Sequence, residues 1–143
     1  MQKAIFFLFL ILSFRVYSQK VVAWNAIYNK ETSELIIQAK IEKGWHLYSQ
    51  YIPPNAGPIA TKFVFKNNKK VKIKGKPIEE NVHSFYDENF GAHLAVFDDK
   101  ALFRQKVKVK QTSDFVFTVT YMVCDNTRCL PPKDETITIK IEK

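Results

Sequence analysis

Apolar and polar residues alternate along most of this chain at period two, the spacing of strands with one buried face. Val21 to Tyr28 is the first such stretch, and Glu34 to Ile41 the second, with Leu35, Ile37 and Ala39 on one face. A Lys43-Gly44 turn leads to a short aromatic strand, Trp45 to Ser49. Pro53, Pro54, Asn55, Gly57 and Pro58 predict an irregular loop, because proline fixes φ and removes a ladder donor. Strand character resumes over Thr61 to Lys66, turns at Asn67-Asn68, and continues with Val71 and Ile73 between lysines. Residues 76 to 90 are mixed and polar, with Phe85, Tyr86 and Phe90 embedded in them. Gly91 to Phe97, Leu102 to Lys110, Asp114 to Tyr121 and Thr136 to Ile141 complete the pattern, the last with Ile137, Ile139 and Ile141 on one face. No window shows a helical period. About nine short strands separated by turn signals predict two packed antiparallel sheets. A partly open barrel gives the same spacing, and periodicity does not separate the two.

The first residues belong to a different pattern. Met1, Gln2 and Lys3 form a positive start, and Ala4 to Phe14 is an apolar run of 11 residues. Val16-Tyr17-Ser18 follows, ending in a small residue. This is the three-part plan of a secretory signal, too short for an ordinary membrane-spanning helix of about 20 apolar residues. Residues 1–18 are therefore expected to be removed near Gln19, leaving residues 19–143 as one domain outside the inner membrane. Nothing downstream is long and apolar enough to span a bilayer, so contact with the membrane is expected only through a partner.

Loss of Lys3 and Arg15 with the signal takes the net charge from +8 to +6. The remaining bases are scattered, and Lys106, Lys108 and Lys110 alternate with Val107 and Val109. That is the wet face of an antiparallel sheet. Bases and aromatics do not interleave as in a nucleic-acid module, so no nucleic-acid partner is expected. The charge supports weak attraction to acidic surfaces and no more.

The chemistry concentrates in one segment, Tyr121-Met-Val-Cys-Asp-Asn-Thr-Arg-Cys-Leu-Pro-Pro132. Four residues separate Cys124 from Cys129, and in an exported protein such a pair usually forms a disulfide. As a staple it is weak: so short a ring removes only about 2 kcal/mol of unfolded-state entropy. It joins nothing remote, and a short ring is easier to reduce than a long-range bridge. Redox exchange and a structural bridge both remain open on these grounds. A metal site has less support, because the spacing is not that of a Cys-x2-Cys knuckle and His46, His83 and His93 show no ligand spacing to it. No metal or other cofactor is expected.

Three stretches together resemble the N-terminal periplasmic domain of the thiol:disulfide interchange protein DsbD. They are Gly44-Trp-His-Leu-Tyr-Ser49 with the proline loop and Thr61-Lys-Phe-Val-Phe65, then Ser84-Phe-Tyr86, then Val119 through Cys124 to Cys129-Leu-Pro-Pro132. The resemblance implies an all-β, immunoglobulin-like sandwich. It implies that Cys124 and Cys129 are a redox-active pair that takes electrons from a membrane-embedded thiol reductase and passes them to thioredoxin-like periplasmic proteins and cytochrome c maturation proteins. It implies a cap loop in which Phe85, with Tyr86 beside it, shields the disulfide, and it sets Tyr48 near the pair. Cys129 is implied as the sulfur that joins partners. Tyr121 and Pro131 flank the cysteine segment and are candidates for site contact, with core packing and strand termination as their simpler roles.

The sequence departs from the family pattern in three respects. The best-known members have five residues between the cysteines, and this chain has four. Acidic residues precede the cap aromatic in those members, whereas His83 and Ser84 stand here, with Glu79, Glu80, Asp87 and Glu88 nearby. The chain ends at Lys143, directly after the last strand, which leads to the expectation of a stand-alone exported version that docks with a separate membrane partner. The competing function is a secreted immunoglobulin-like binding or structural module with an inert disulfide. An adhesion or chaperone-like domain using an exposed strand edge is a further alternative.

Overall fold

The computed structural model describes residues 20–143, in which eleven strands form the regular structure. The expected signal, residues 1–18, lies outside the described residues. The first sheet holds β1 (Val22–Asn29), β2 (Glu34–Ile41), β8 (Lys100–Val109) and β5 (Val71–Glu80), in that order. The second holds β10 (Val123–Cys124), β3 (His46–Tyr48), β7 (Ala92–Asp98) and β6 (His83–Asp87). The third holds β11 (Lys133–Ile141), β9 (Ser113–Tyr121) and β4 (Lys62–Phe65). Every pairing is antiparallel.

The architecture is thus all-β with three sheets, where the period-two pattern led to an expectation of two. The extra division arises at a single residue. β9 pairs with β4 as far as Thr120 and with β11 as far as Tyr121, Met122 breaks the ladder, and Val123 then pairs with Leu47 of β3. Alternation reports which face of a strand is buried; it does not report the neighbouring strand.

The main core lies between the first and third sheets. Leu35, Ile37, Ala39 and Phe103 of the first sheet are fully buried, as are Phe117 and Val119 of the third. Phe63 and Phe103 meet edge to face with centroids 4.9 Å apart, and Trp24 meets Tyr121 at 5.4 Å. Each fully buried large apolar side chain contributes about 1.5–3 kcal/mol, so the core supplies far more than the cysteine bridge can. Val107 is buried while Lys106 and Lys108 are exposed, as the alternation requires. Ile141 is buried, and Ile137 and Ile139 pack against the same core.

Residues 76–90, mixed and polar in sequence, contain regular strand. β5 runs on to Glu80, and β6 forms an edge strand against β7. The β5–β8 ladder slips between Lys74 and Ile78, where Gly75 takes φ +71° and Pro77 lacks a donor. The buried Gln105 amide donates to the Lys74 carbonyl at 2.9 Å, so the bulge leaves that acceptor satisfied. β6 is polar because it is an edge, and edges carry charged and polar residues against unwanted pairing.

Candidate functional site

The cysteine pair sits at the end of a tight hairpin. Asp125 N donates to Arg128 O at 2.9 Å on one side of the pair, and Leu130 N to Val123 O at 2.9 Å on the other. Cys124 and Cys129 are therefore directly opposed at a non-hydrogen-bonded position, where cross-strand side chains approach most closely. Their Cα atoms are 4.0 Å apart and the sulfurs are bonded. Asp125 organises the intervening turn. Its Oδ1 accepts from the Thr127 amide and the Arg128 amide, both at 2.8 Å, and from Thr127 Oγ1 at 2.9 Å. These donors, the Thr127 amide foremost, hold the Asp125 carboxyl below the usual carboxylate range. Asn89 Nδ2 donates to Asp125 O at 2.8 Å, tying the turn to the residues after β6. The Arg128 guanidinium lies 5.5 Å from the Trp45 ring centre.

The two sulfurs differ in access. Cys124 is fully buried, while Cys129 is partly exposed. Cys124 belongs to a second apolar cluster with Tyr48, Ile52, Leu94 and Val96; Phe85, Phe90, Met122 and Cys129 pack against it. Val123, one residue earlier, points into the main core.

A buried polar group adjoins this cluster. Tyr48 Oη donates to Asp87 Oδ2 at 2.5 Å, and His46 Nε2 lies 3.0 Å from the same oxygen and 3.1 Å from Tyr48 Oη. All three side chains are buried. Burial works against the Asp87 charge, but the donors from Tyr48 and His46 and the Asn89 amide outweigh it, so the carboxyl stays below its ordinary range. Burial, followed by the Asp87 hydrogen bond and charge, pushes the Tyr48 phenol well up, so it keeps its proton.

Of the residues singled out in the sequence, the structure brings Cys124, Cys129, Tyr48 and Phe85 into one cluster. Phe85 is on strand β6, not in a loop, and its ring is 4.9 Å from that of His46. Tyr86 faces the other way, 47% exposed, with its ring 5.2 Å from His93. Neighbours along a strand point to opposite faces, so the two cannot share a cap. Tyr121 lies in the main core beside Trp24, where burial and the Glu135 charge push its phenol up to about 12. Pro131 is exposed and lines, with Tyr121, Val123 and Leu130, a cavity of about 380 Å³. Glu79 is held by Ser49 and Gln50, and Glu80 by Arg104. Asp87 is thus the carboxylate of that stretch that reaches the site. His46 joins the site as a hydrogen-bonding residue, a role apart from the metal ligation its side-chain type suggests in sequence. The signal for it was its spacing from Tyr48, since two residues apart on a strand share a face.

Solved structures share this fold. The chain is similar to the reduced DsbD N-terminal domain of Neisseria meningitidis, with 17% identity, TM-score 0.60, and 87% of this chain and 88% of that one covered. It is similar to the Neisseria meningitidis complex between the DsbD N-terminal and PilB N-terminal domains, at 16% identity and TM-score 0.59, covering 85% and 84% of the two chains. The N-terminal periplasmic domain of ScsB from Proteus mirabilis matches at 17% identity and TM-score 0.57, over 82% of this chain and 44% of that one. No curated protein sequence matches. The family described as "Thiol:disulfide interchange protein DsbD, N-terminal" matches residues 16–141, nearly the whole chain, and the chain therefore belongs to that family.

Proposed function

We propose that this domain relays electrons in the periplasm by thiol–disulfide exchange at Cys124–Cys129. The observation that carries the reading is the asymmetry of the pair: one sulfur is partly exposed at a hairpin end, and the other is buried beneath it. Exchange needs one accessible sulfur and one resolving sulfur held close behind it. A partner thiolate attacks Cys129, the Cys124–Cys129 bond breaks, and Cys124 leaves as the thiolate. The partner's second thiolate then attacks its own sulfur in the mixed disulfide and releases Cys129. The pair has gained two electrons and takes up two protons, and the partner has become a disulfide. The reverse sequence reduces a client, with Cys129 attacking and Cys124 resolving.

The electron donor on this reading is a membrane-embedded thiol reductase, and the acceptors are thioredoxin-like periplasmic proteins. Family membership supports both. Residues 1–18 serve as the export signal and residues 19–143 as one domain whose sheets build an immunoglobulin-like sandwich. Phe85 covers the pair until a partner displaces it, Tyr48 supports the buried sulfur, Pro131 stands at the rim of the hairpin, and Tyr121 anchors in the main core the strand that leads to it.

The test is transfer of the disulfide. Oxidised protein is mixed with a reduced thioredoxin-like domain, quenched in acid, and alkylated free thiols are counted by mass. The reading predicts two alkylated cysteines in this chain and a disulfide in the partner. A pair that stays oxidised in folded protein would leave the inert-module reading standing.

A further inference from the structure

We propose that His46 is the proton partner of Cys124, giving a proton to that sulfur when it leaves and taking one when it attacks; this rests on the exchange reading above. His46 and Cys124 occupy one register position of the β3–β10 pair. Cross-strand partners project to the same face with Cβ atoms about 4.5–5.5 Å apart. Both side chains are buried, His46 at 3% exposure and Cys124 at 0%.

The hydrogen-bond pattern sets the imidazole tautomer. Asp87 is ionised and only accepts, and the Tyr48 hydroxyl hydrogen is already given to Asp87. The His46 Nε2 contacts to Asp87 and to Tyr48 Oη therefore both require hydrogen on Nε2. Nδ1 is left with its lone pair, and no hydrogen bond among the described residues uses it. Asp87 also stabilises the imidazolium that forms when Nδ1 takes a proton.

Cys124 needs such a partner. Its cluster is otherwise Ile52, Leu94, Val96 and the ring of Tyr48, whose hydroxyl is committed. Apolar burial raises a thiol's pKa and penalises the thiolate that exchange requires. Histidine is the side chain whose ordinary titration falls near neutral pH. The other charged groups around the pair engage one another. Asp98 of β7, opposite His46, pairs with His83 of β6 at 3.0 Å, and Asp125 pairs with Arg128 at 3.6 Å.

The balance is simple. When the disulfide is attacked at Cys129, the electron pair of the broken bond goes to Cys124; Nδ1, which has first taken a proton from solvent with Asp87 balancing the charge, gives that proton to the sulfur and returns to its lone-pair form. When Cys124 resolves a client mixed disulfide, its proton returns to Nδ1 and its electron pair forms the bond to Cys129. Asp87 and Tyr48 act through His46 as positioning residues.

The experiment is an ultraviolet thiolate titration of the Cys129→Ser chain, which leaves Cys124 as the lone thiol. His46→Gln in that background is expected to make Cys124 at least a tenfold weaker acid, moving the titration up by a pH unit or more. Asp87→Asn should move it in the same direction. Superimposable titrations in folded His46→Gln protein would overturn the proposal. Should His46→Gln fail to fold, NMR titration of the His46 ring in the unsubstituted chain decides: its midpoint should differ between the oxidised and reduced states, and an identical midpoint would overturn the proposal. No exchange partner enters either measurement. A negative result therefore removes the role of His46 alone, whereas failure of disulfide transfer removes the exchange reading itself.

Discussion

The Phe85 ring lies 4.9 Å from the His46 ring, on the face of the second sheet that also carries Cys124. Its strand is an edge, and its ring is half-buried. An aromatic on an edge strand can move without opening the main core. Phe85→Ala should therefore speed reaction of the disulfide with glutathione or dithiothreitol several-fold. Stopped-flow rates would measure this, with circular dichroism to show that the sheets persist. Equal rates in two intact proteins would mean that the ring does not shield the pair.

Reduction should cost little stability. The ring closes only five peptide links, and the core between the first and third sheets does not depend on it. Denaturant melts of oxidised and reduced protein should differ by about 2 kcal/mol or less. A reduced form that is unfolded at room temperature would make the bridge a structural staple.

Asp87 should govern part of the acid limb of stability. Its carboxyl is held below the ordinary range in the fold, so the unfolded chain binds its proton at higher pH than the folded one. The stabilisation is present above the unfolded value of about 4 and is lost as pH falls through the lower folded value. Asp87→Asn should cost about 1–3 kcal/mol at pH 7, the usual loss for a disturbed buried polar contact, and less below pH 3. Melts across that range would show the two curves converging; a constant gap would contradict this origin.

The proline loop should resist a single added methyl group. Gly57 has φ +105°, and a Cβ there would collide with the Phe90 ring, which packs 6.1 Å from Tyr48. Gly57→Ala should therefore destabilise by about 1–3 kcal/mol, through strain and displaced packing. Thermal melts would measure it. Phe90→Leu in the same chain should recover part of the loss.

Much of the strand framework was legible in the residues because burial on one face leaves a period-two trace. β2 runs over Glu34–Ile41 as the alternation of Leu35, Ile37 and Ala39 indicates. β6 was not legible: its outer residues His83 and Ser84 are polar, and the bulge at Gly75 and Pro77 interrupts the strand before it. The break at Met122 that creates a third sheet leaves no trace either, since Tyr121 and Val123 are both apolar and both buried. The cysteine pair was visible from export, spacing and family likeness. The His46–Asp87 contact was not, because the two are 41 positions apart in the chain and strand β7 lies between their strands. Strand order, which alternation does not encode, is what joins them.

In the proposed exchange, electrons enter and leave through the Cys129 sulfur. The most direct measurement uses two single-cysteine chains, Cys124→Ser and Cys129→Ser, each mixed with a thioredoxin-like domain activated as a mixed disulfide at its attacking cysteine. Non-reducing electrophoresis and mass spectrometry then follow the covalent complex with time. The chain that keeps Cys129 should form the complex at least tenfold faster than the chain that keeps the buried Cys124. Equal rates, or faster capture through Cys124, would contradict the account.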